Sequence, residues 1–263
     1  EIEQLARMIE PDIAVVTAIV PAHLEGFGSL DGIKAEKASI AKGLQPTGRF
    51  FITSDLADYC TKQKTAFQTF AEFDNVKLSA FESTFEVEGV KAVLPLAGRA
   101  NVSNAAAAWT VCKNLGISAD EFANAVATIK PVDMRMECLK IGSAIVLADC
   151  YNANPGSMTN ALETLYLISQ QEHKRAVFIF GRMGELGCQS EFMHSELGKT
   201  IVKFKIPVVL TIKGDCSAAV QTAYKTADYD IAAKIFENLS ELCDNLYKFV
   251  KPDDIILVKA SRS

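Results

Sequence analysis

Residues 144–155 read AIVLADCYNANP, an apolar run followed by a short polar loop and an Asn-Pro pair. The run Ala144–Ala148 predicts a buried strand, because it is short, continuous and apolar. Asn154 and Pro155 predict that a helix begins directly after the loop, with Asn154 as its N-cap and Pro155 in its first position. The stretch therefore predicts one strand–loop–helix unit of an α/β fold.

The loop of this unit carries polar side chains that neither the strand nor the helix start requires, namely Asp149, Tyr151 and Asn152. Open sheets of parallel strands bind ligands at the carboxyl ends of their strands. The sequence therefore predicts a ligand site at this edge of the sheet.

The same alternation of apolar runs and helical patterns continues after this unit and predicts a Rossmann-like sheet. The predicted strands are Ala176–Phe180, Val208–Ile212 and Ile255–Val258, and the predicted helices are Glu191–Phe204, Ser217–Lys225 and Leu239–Val250.

The first half of the chain shows a second alternating pattern. It predicts strands at Ile13–Val20, Arg49–Ser54 and Thr65–Phe70, a hairpin of Phe81–Val87 with Val90–Pro95, and helices at Ile33–Leu44, Asp55–Lys62 and Asn101–Leu115. Ser118 and Glu121 form a capping-box pattern for one more helix. The pair Pro131-Val132 marks the predicted boundary between a domain at 1–131 and a domain at 132–263.

Composition excludes several classes of protein. The 263 residues are 49% hydrophobic and 22% charged, as in globular proteins, and no apolar run approaches the roughly 20 residues of a membrane span. The net charge of −5 argues against general affinity for nucleic acid or anionic membranes. Seven cysteines without a CxxC pair argue against a disulfide framework or a structural zinc site, and favour a reducing cytosol.

Five further segments stand out, although each alone has an ordinary structural interpretation. Asn101, for example, reads as a helix N-cap, and Lys37 as a solvated lysine on a helix. The segments are PAHLEGFGSL at 21–30 with Lys37 fourteen residues after His23, GRANVSNA at 98–105, PVDMRME at 131–137, GRMGELG at 181–187 and KASRS at 259–263.

Taken together with AIVLADCYNANP, these segments resemble the ATP-dependent Mur ligases of peptidoglycan synthesis. The resemblance implies an α/β fold made of the latter half of a P-loop-type ATP-binding central domain and a Rossmann-like C-terminal domain. It implies ATP and Mg²⁺ as cofactors, and a reaction that joins an amine to a carboxylate through an acyl phosphate. The segments AHLEGFGSL and YNANP are most similar to the branch that adds D-alanyl-D-alanine to UDP-N-acetylmuramoyl-tripeptide.

The resemblance also implies roles for individual residues. His23 and a carbamylated Lys37 are the expected catalytic residues and magnesium ligands. The expected ATP-binding residues are Asn101, Asn104, Arg135, Asp149, Tyr151 and Asn152. The expected substrate-binding residues are Lys259, Ser261 and Arg262.

The chain departs from the family pattern at several positions. Ala100, Met134 and Arg182 replace a histidine, a glycine and an aspartate, and Glu36 and Ser39 alter the flanks of Lys37. The family's phosphate-binding loop, of the form GTNGKTT, does not occur in the sequence. We therefore expect a fragment that is inactive alone, from a monomeric protein of the bacterial cytoplasm that binds neither nucleic acid nor the membrane interior.

Other functions remain open at this stage. Another Mur ligase or a folylpolyglutamate-type ligase would share the fold. A nucleotide-binding protein without catalytic activity would fit the three departures. A dehydrogenase is disfavoured, because the sequence lacks the GxGxxG fingerprint of a dinucleotide site.

Overall fold

The computed structural model describes residues 1–21, 24–70 and 72–261, with the side chains of Leu24 and Glu25 outside the described part. Its helices are α1 (Ile2–Ile9), α2 (Leu24–Phe27), α3 (Leu30–Ala38), α4 (Ala57–Lys62), α5 (Arg99–Asn114), α6 (Ala119–Val126), α7 (Pro155–Glu172), α8 (Ser190–Lys203), α9 (Ser217–Thr226) and α10 (Leu239–Asn245). Its strands are β1 (Ile13–Val16), β2 (Arg49–Ile52), β3 (Gln68–Thr69), β4 (Asp74–Leu78), β5 (Ser83–Val87), β6 (Val90–Leu94), β7 (Glu137–Ile141), β8 (Ala144–Asp149), β9 (Ala176–Phe180), β10 (Val208–Ile212), β11 (Ala232–Phe236) and β12 (Ile255–Lys259). None of the described helices has the length and apolar character needed to cross a lipid bilayer.

The second half of the chain forms one sheet with the strand order β11-β10-β9-β12-β8-β7. Strands β8 to β12 run parallel, and β7 pairs antiparallel with β8 at one edge. Phe178 and Phe180 of β9 pack with α7, α8 and α9 on one face, whereas Val177 and Ile179 pack with Leu242 of α10 on the other. Both faces of β9 are covered, which explains why this strand is continuously apolar.

The first half of the chain forms two smaller sheets. Strands β1, β2 and β3 are parallel and pack around Phe50, Ile52 and Leu56. Strands β4, β5 and β6 are antiparallel, and their core includes Trp109 and Phe122 from α5 and α6. Every sheet therefore has at least one helix-covered face, and the predicted α/β class is confirmed.

Most of the predicted elements are present, with shifted ends. Strands β9 and β10 have the predicted bounds, and the hairpin turns at the expected place. The capping box of Ser118 and Glu121 is also present. Strand β1 ends at Val16 rather than Val20, and the helix predicted to reach Leu44 becomes a 3₁₀ helix at Ser39–Gly43.

The prediction that Asn101 caps a helix is wrong. Helix α5 begins at Arg99, and Gly98 occupies the N-cap position with φ of 93°. That backbone conformation favours glycine, so Gly98 sets the helix start two residues earlier than expected. The side-chain amide of Asn101 instead donates to the carbonyl oxygen of Ala97 at 2.8 Å.

The start of α7 matches the prediction from AIVLADCYNANP. Asn154 is the N-cap, and its side chain accepts a hydrogen bond from the Ser157 amide at 2.9 Å. The Ser157 hydroxyl in turn accepts from the Asn154 amide at 3.0 Å. Pro155 occupies the first turn, where its missing N–H costs nothing.

We expect Asn154→Ala to lower the free energy of unfolding by about 1 kcal/mol, because the orphan amide of Ser157 loses its acceptor. Asn154→Asp is the matched control, since aspartate caps helices about as well as asparagine. Chemical denaturation of both variants measures the difference. An equal loss in both would contradict a capping role.

Candidate functional site

Several residues that were predicted to bind ATP or substrate lie close together where the neighbouring strands β8 and β12 end. Asp149 and Lys259 are paired in the parallel register of these strands. The Lys259 ammonium donates to Oδ2 of Asp149 at 2.6 Å and to the carbonyl oxygen of Asn152 at 2.9 Å. The Ser261 hydroxyl donates to Oδ1 of Asn152 at 3.0 Å. A single hydrogen-bonded group thus joins the loop after β8 to the loop after β12.

Lys259 is buried in this group, which bears on its predicted role. Its side chain is only 1% exposed, and Asp149 supplies its counter-charge. The ammonium therefore holds the two loops together in this structure. Binding of a substrate anion by Lys259 stays a prediction, as it does for Ser261, and Arg262 lies outside the described residues.

The segment before β7 packs onto the same loop. Oδ1 of Asp149 accepts a hydrogen bond from the Met136 amide at 3.2 Å, and the Tyr151 amide donates to the Met134 carbonyl at 3.1 Å. Between these bonds, the Arg135 guanidinium lies 3.9 Å from the centroid of the Tyr151 ring. The side chains of Arg135 and Tyr151 thus form a stacked pair.

Met134 has a backbone conformation that explains the family's glycine at this position. Its φ is 58°, in the left-handed region that glycine adopts without strain. Met134 thus adopts a backbone conformation that is also open to glycine. The Arg135–Tyr151 stack forms with methionine at this position.

The stacked pair and its neighbours suit a nucleotide. Tyr151 is 43% exposed, so a flat aromatic and cationic surface is open to solvent. Guanidinium groups bind phosphate and ribose oxygens, and aromatic rings stack on bases. The side-chain amide group of Asn152 can donate a hydrogen bond, whereas its Oδ1 already accepts from the Ala153 amide and the Ser261 hydroxyl. The predicted ATP-binding roles of these residues are consistent with this chemistry and stay predictions.

Lys37 lies in the last turn of α3. Its ammonium donates to the carbonyl oxygen of Ala18 at 3.0 Å, and burial lowers its pKa from the usual 10.5. A lower pKa raises the fraction of neutral amine, which is the form that reacts with carbon dioxide to give a carbamate. The environment of Lys37 therefore suits the predicted modification.

The predicted magnesium site is only partly within the described residues. His23 lies outside them. Among the residues that are described, no group of three or more His, Cys, Asp or Glu side chains could hold a metal ion. Magnesium binding by His23 and a carbamate on Lys37 therefore stays a prediction.

Helix α7 brings the Lys37 region and the Tyr151 loop together. Gly156 lies against Val20, two residues from the Ala18 carbonyl, and a Cβ at Gly156 would fall 2.6 Å from the Val20 side chain. Farther along α7, Thr164 packs against Gly98 in the same way. The close approach at Gly156 requires a residue without a side chain. Glycine thus allows the two predicted groups of residues to be neighbours.

The asparagines of GRANVSNA lie on the first two turns of α5. Asn101 is half-buried and engaged with Ala97, whereas Asn104 is exposed. Arg99, beside them, lies 3.5 Å from Glu163 of α7. The predicted ATP-binding roles of Asn101 and Asn104 stay predictions.

A cavity of about 520 Å³ opens at the carboxyl ends of β9, β10 and β12. Arg182, Lys213, Asp215 and Ser261 contribute polar groups to its lining. Sequence reasoning assigned no role to Lys213 or Asp215. The signal that could have found them is topological, because they follow β10 at the same edge of the sheet.

His194 provides a test of electrostatics near this cavity. The residue is fully buried, and burial lowers its pKa from the usual 6.5, although the hydrogen bond to the Ser190 carbonyl and the charge of Asp215 act in the opposite direction. On acidification the unfolded chain takes up a proton near pH 6.5, whereas folded His194 does so only at lower pH. The contribution of neutral His194 to the free energy of unfolding is therefore fully present above pH 6.5, and it falls as the pH drops below 6.5.

We expect this contribution to fall by at most about 1.4 kcal/mol per pH unit below pH 6.5. Urea denaturation of the wild type and His194→Gln at pH 7.5 and pH 5.5 measures it. The difference in stability between the two proteins should shrink at the lower pH. A constant difference would show that His194 does not contribute to the pH dependence.

Comparisons with known proteins match the whole chain. The model of the Mur ligase middle domain matches residues 1–112, and the model described as "Mur ligase, glutamate ligase domain" matches residues 134–262. The UDP-N-acetylmuramoyl-tripeptide–D-alanyl-D-alanine ligase of Escherichia coli is 30% identical over 100% of this chain and 60% of its own length. The Bacillus subtilis protein of the same name is 30% identical over 100% of this chain and 59% of its own.

Solved structures give the same result. A crystal structure of MurF from Acinetobacter baumannii matches with a TM-score of 0.84 and 25% identity, over 99% of this chain and 59% of that one. A MurF ligase from Thermotoga maritima, solved in complex with ADP, matches in fold with a TM-score of 0.80 and 22% identity, over 99% of this chain and 61% of that one. The chain thus spans about 60% of the length of these relatives.

Proposed function

The chain belongs to the Mur ligase family, and on that premise we propose that it is part of the ligase that adds D-alanyl-D-alanine to UDP-N-acetylmuramoyl-tripeptide. In the proposed reaction, ATP transfers its γ-phosphoryl group to the terminal carboxylate of the tripeptide, and ADP leaves. The free amine of D-alanyl-D-alanine then attacks the acyl phosphate, and phosphate leaves. The product is a precursor of peptidoglycan.

The observation that carries this proposal is the preassembled group at the ends of β8 and β12. Asp149, Asn152 and Lys259 are joined by hydrogen bonds, and Arg135 stacks on Tyr151 beside them. A cationic and aromatic surface at the carboxyl edge of a parallel sheet fits a nucleotide. In the proposal, Arg135 and Tyr151 orient ATP, and Asp149 accepts a hydrogen bond from its ribose.

The residues of the first half act on the reacting groups in this proposal. Asn101 and Asn104 contact the adenine edge, and Lys37 carries an anionic carbamate near the phosphates. Magnesium, when bound with ATP, would neutralise negative charge on the phosphates. Placing these groups in fixed positions lowers the entropic cost of bringing the reactants together.

A bacterial cytoplasm and a monomeric state complete the proposal. All seven cysteines are free thiols, which suits a reducing compartment. Light scattering of the purified protein tests the oligomeric state.

The proposal is tested on the protein that contains this chain, expressed from its full reading frame. Phosphate release should require ATP, magnesium, the UDP-muramyl-tripeptide and D-alanyl-D-alanine together. Tyr151→Ala should raise the KM for ATP on the order of tenfold, because the stacking is lost. Tyr151→Phe keeps the aromatic ring and should leave the KM for ATP close to that of the wild type. Phosphate release that does not depend on the dipeptide would contradict the proposed function.

A nucleotide-binding protein without ligase activity is the second candidate. Arg182 favours it, because the family pattern has an aspartate at this position. ATP binding without turnover in the same assay would support this alternative.

A further inference from the structure

His194 is a buried, fully hydrogen-bonded residue to which the proposed function gives no role. It lies in the second turn of α8 and is completely shielded from solvent. The Met183 amide donates to Nε2 at 3.0 Å, and Nδ1 lies 2.7 Å from the Ser190 carbonyl oxygen. An amide can only donate and a carbonyl can only accept, so Nε2 is unprotonated and Nδ1 carries the proton. The hydrogen bonds thus assign His194 as neutral, in its Nδ1–H tautomer.

Ser190 extends this link to a second loop. Its hydroxyl donates to Oδ2 of Asp215 at 2.7 Å. Met183 belongs to the loop after β9, and Asp215 to the loop after β10. The first turns of α8 therefore tie these two loops together through His194 and Ser190.

The loop after β9 is also tied to the loop after β12. The Ser261 amide donates to the Arg182 carbonyl oxygen at 3.1 Å. Gly184 lies against the Ser261 hydroxyl, where a Cβ would come within 2.8 Å of the oxygen. All three loops that line the 520 Å³ cavity are thus connected, and Met183 is held from the side of α8.

Arg182 is the cation that this arrangement presents to the cavity. Its side chain is exposed, and it has no hydrogen bond or ion pair to any of the residues in 1–21, 24–70 and 72–261. Lys213, by contrast, is paired with Glu237 at 3.0 Å. The remaining walls include Ile179, Ile212 and Leu242. A small molecule with a carboxylate and short apolar side chains fits this combination of charge and surface.

We propose that His194 is a positioning residue, which fixes the loop Gly181–Gly187 so that Arg182 binds the carboxylate of the amine-bearing acceptor in this cavity. Binding of the acceptor by Arg182 rests on the proposed function, in which the acceptor is D-alanyl-D-alanine. Positioning of the loop by His194 rests on the contacts of His194 alone. The two roles are measured by separate experiments.

Binding of the acceptor by Arg182 is tested by steady-state kinetics of the full-length protein. His194→Ala should raise the KM for D-alanyl-D-alanine at least about tenfold, because the loop loses its hydrogen bond, and should leave the KM for ATP within about twofold. Arg182→Gln should raise the same KM. The double variant should be no worse than Arg182→Gln, because a displaced loop and a missing cation remove the same contact.

The conservative variant separates positioning from packing. His194→Gln keeps a side-chain oxygen that can accept from the Met183 amide. The KM of this variant for the dipeptide should therefore lie much closer to the wild-type value than that of His194→Ala. A His194→Ala protein that is less stable but has an unchanged KM for the dipeptide would overturn the proposal. If His194→Ala does not fold, His194→Leu takes its place, because leucine fills the space but cannot accept from the Met183 amide, and an unchanged KM for the dipeptide in His194→Leu overturns the proposal.

Positioning of the loop by His194 is tested by measurements that do not require enzyme turnover. Nitrogen-15 NMR of the wild type should show the Nδ1–H tautomer of His194, and the Nε2–H tautomer would overturn the assignment. Hydrogen exchange of the Met183 amide should be at least about tenfold faster in His194→Ala, relative to the Phe178 amide of β9 as an internal control. If phosphate release never depends on the dipeptide, both the proposed function and the binding of the acceptor by Arg182 are contradicted. The exchange rate of the Met183 amide still decides whether His194 positions the loop.

Discussion

Asp149→Ala is expected to lower the free energy of unfolding by about 3–5 kcal/mol, because it leaves the Lys259 ammonium buried without a counter-charge. Lys259 is 1% exposed, and Asp149 accepts its hydrogen bond at 2.6 Å. Within residues 1–21, 24–70 and 72–261, the remaining acceptor of this ammonium is the neutral carbonyl of Asn152. A single carbonyl does not offset the cost of desolvating an ammonium group.

A double-mutant cycle distinguishes this effect from general damage to the loop. Lys259→Met removes the buried charge, and the Asp149 side chain that remains is 16% exposed and can be solvated. We expect Lys259→Met to cost less than Asp149→Ala, and the double variant to be more stable than Asp149→Ala alone. Chemical denaturation followed by circular dichroism measures all four proteins. Additive losses would show that the two side chains do not stabilise one another.

The position of this ion pair could not be predicted from the sequence. Asp149 and Lys259 are 110 residues apart and meet only because β12 lies next to β8 in a particular register. Sequence patterns predicted both strands, because a parallel strand that is buried on both faces is a continuous apolar run. They did not predict which strands are neighbours. The pairing of Lys259 with Asp149 is therefore visible only in the structure, and the contact of Lys259 with substrate that the resemblance implies stays a prediction.

The strands that sequence reasoning missed share a physical cause. Strands β7 and β11 lie at the two edges of the large sheet, and much of their surface is exposed. Edge strands need no continuous apolar run, so neither was distinguishable from a loop. Strand β4 is also largely exposed, at the edge of the antiparallel sheet. The missed strands do not form the candidate site, whose predicted loop follows the buried strand β8.

Local motifs were informative where their chemistry is local. The start of α7 could be predicted because an N-cap and a first-turn proline act within a few residues. No role was predicted for His194 from the sequence, since its role depends on contacts with Met183 and, through Ser190, with Asp215. These contacts require the folded arrangement of two loops. Residues of this kind are found from hydrogen bonds and burial.

Lys37→Ala is expected to lower kcat of the full-length protein on the order of 10²–10³-fold, the usual cost of removing one group that stabilises developing charge. The lowered pKa of Lys37 and its hydrogen bond to Ala18 place a reactive amine at a fixed position in the predicted site. A carbamate formed there would convert a cation into an anion. Its formation requires carbon dioxide, so activity should fall in carbon dioxide-depleted buffer and recover with bicarbonate.

Lys37→Arg is the decisive control for this expectation. Arginine keeps the positive charge and much of the length of lysine, but its guanidinium stays protonated and does not form a carbamate. A carbamate role therefore predicts that Lys37→Arg is as inactive as Lys37→Ala. Carbon-13 NMR after exchange with labelled bicarbonate should give a carbamate signal in the wild type that both variants lack. If Lys37→Arg were active, the cation itself would be the functional group, and Lys37 would bind phosphate oxygens directly as an ammonium.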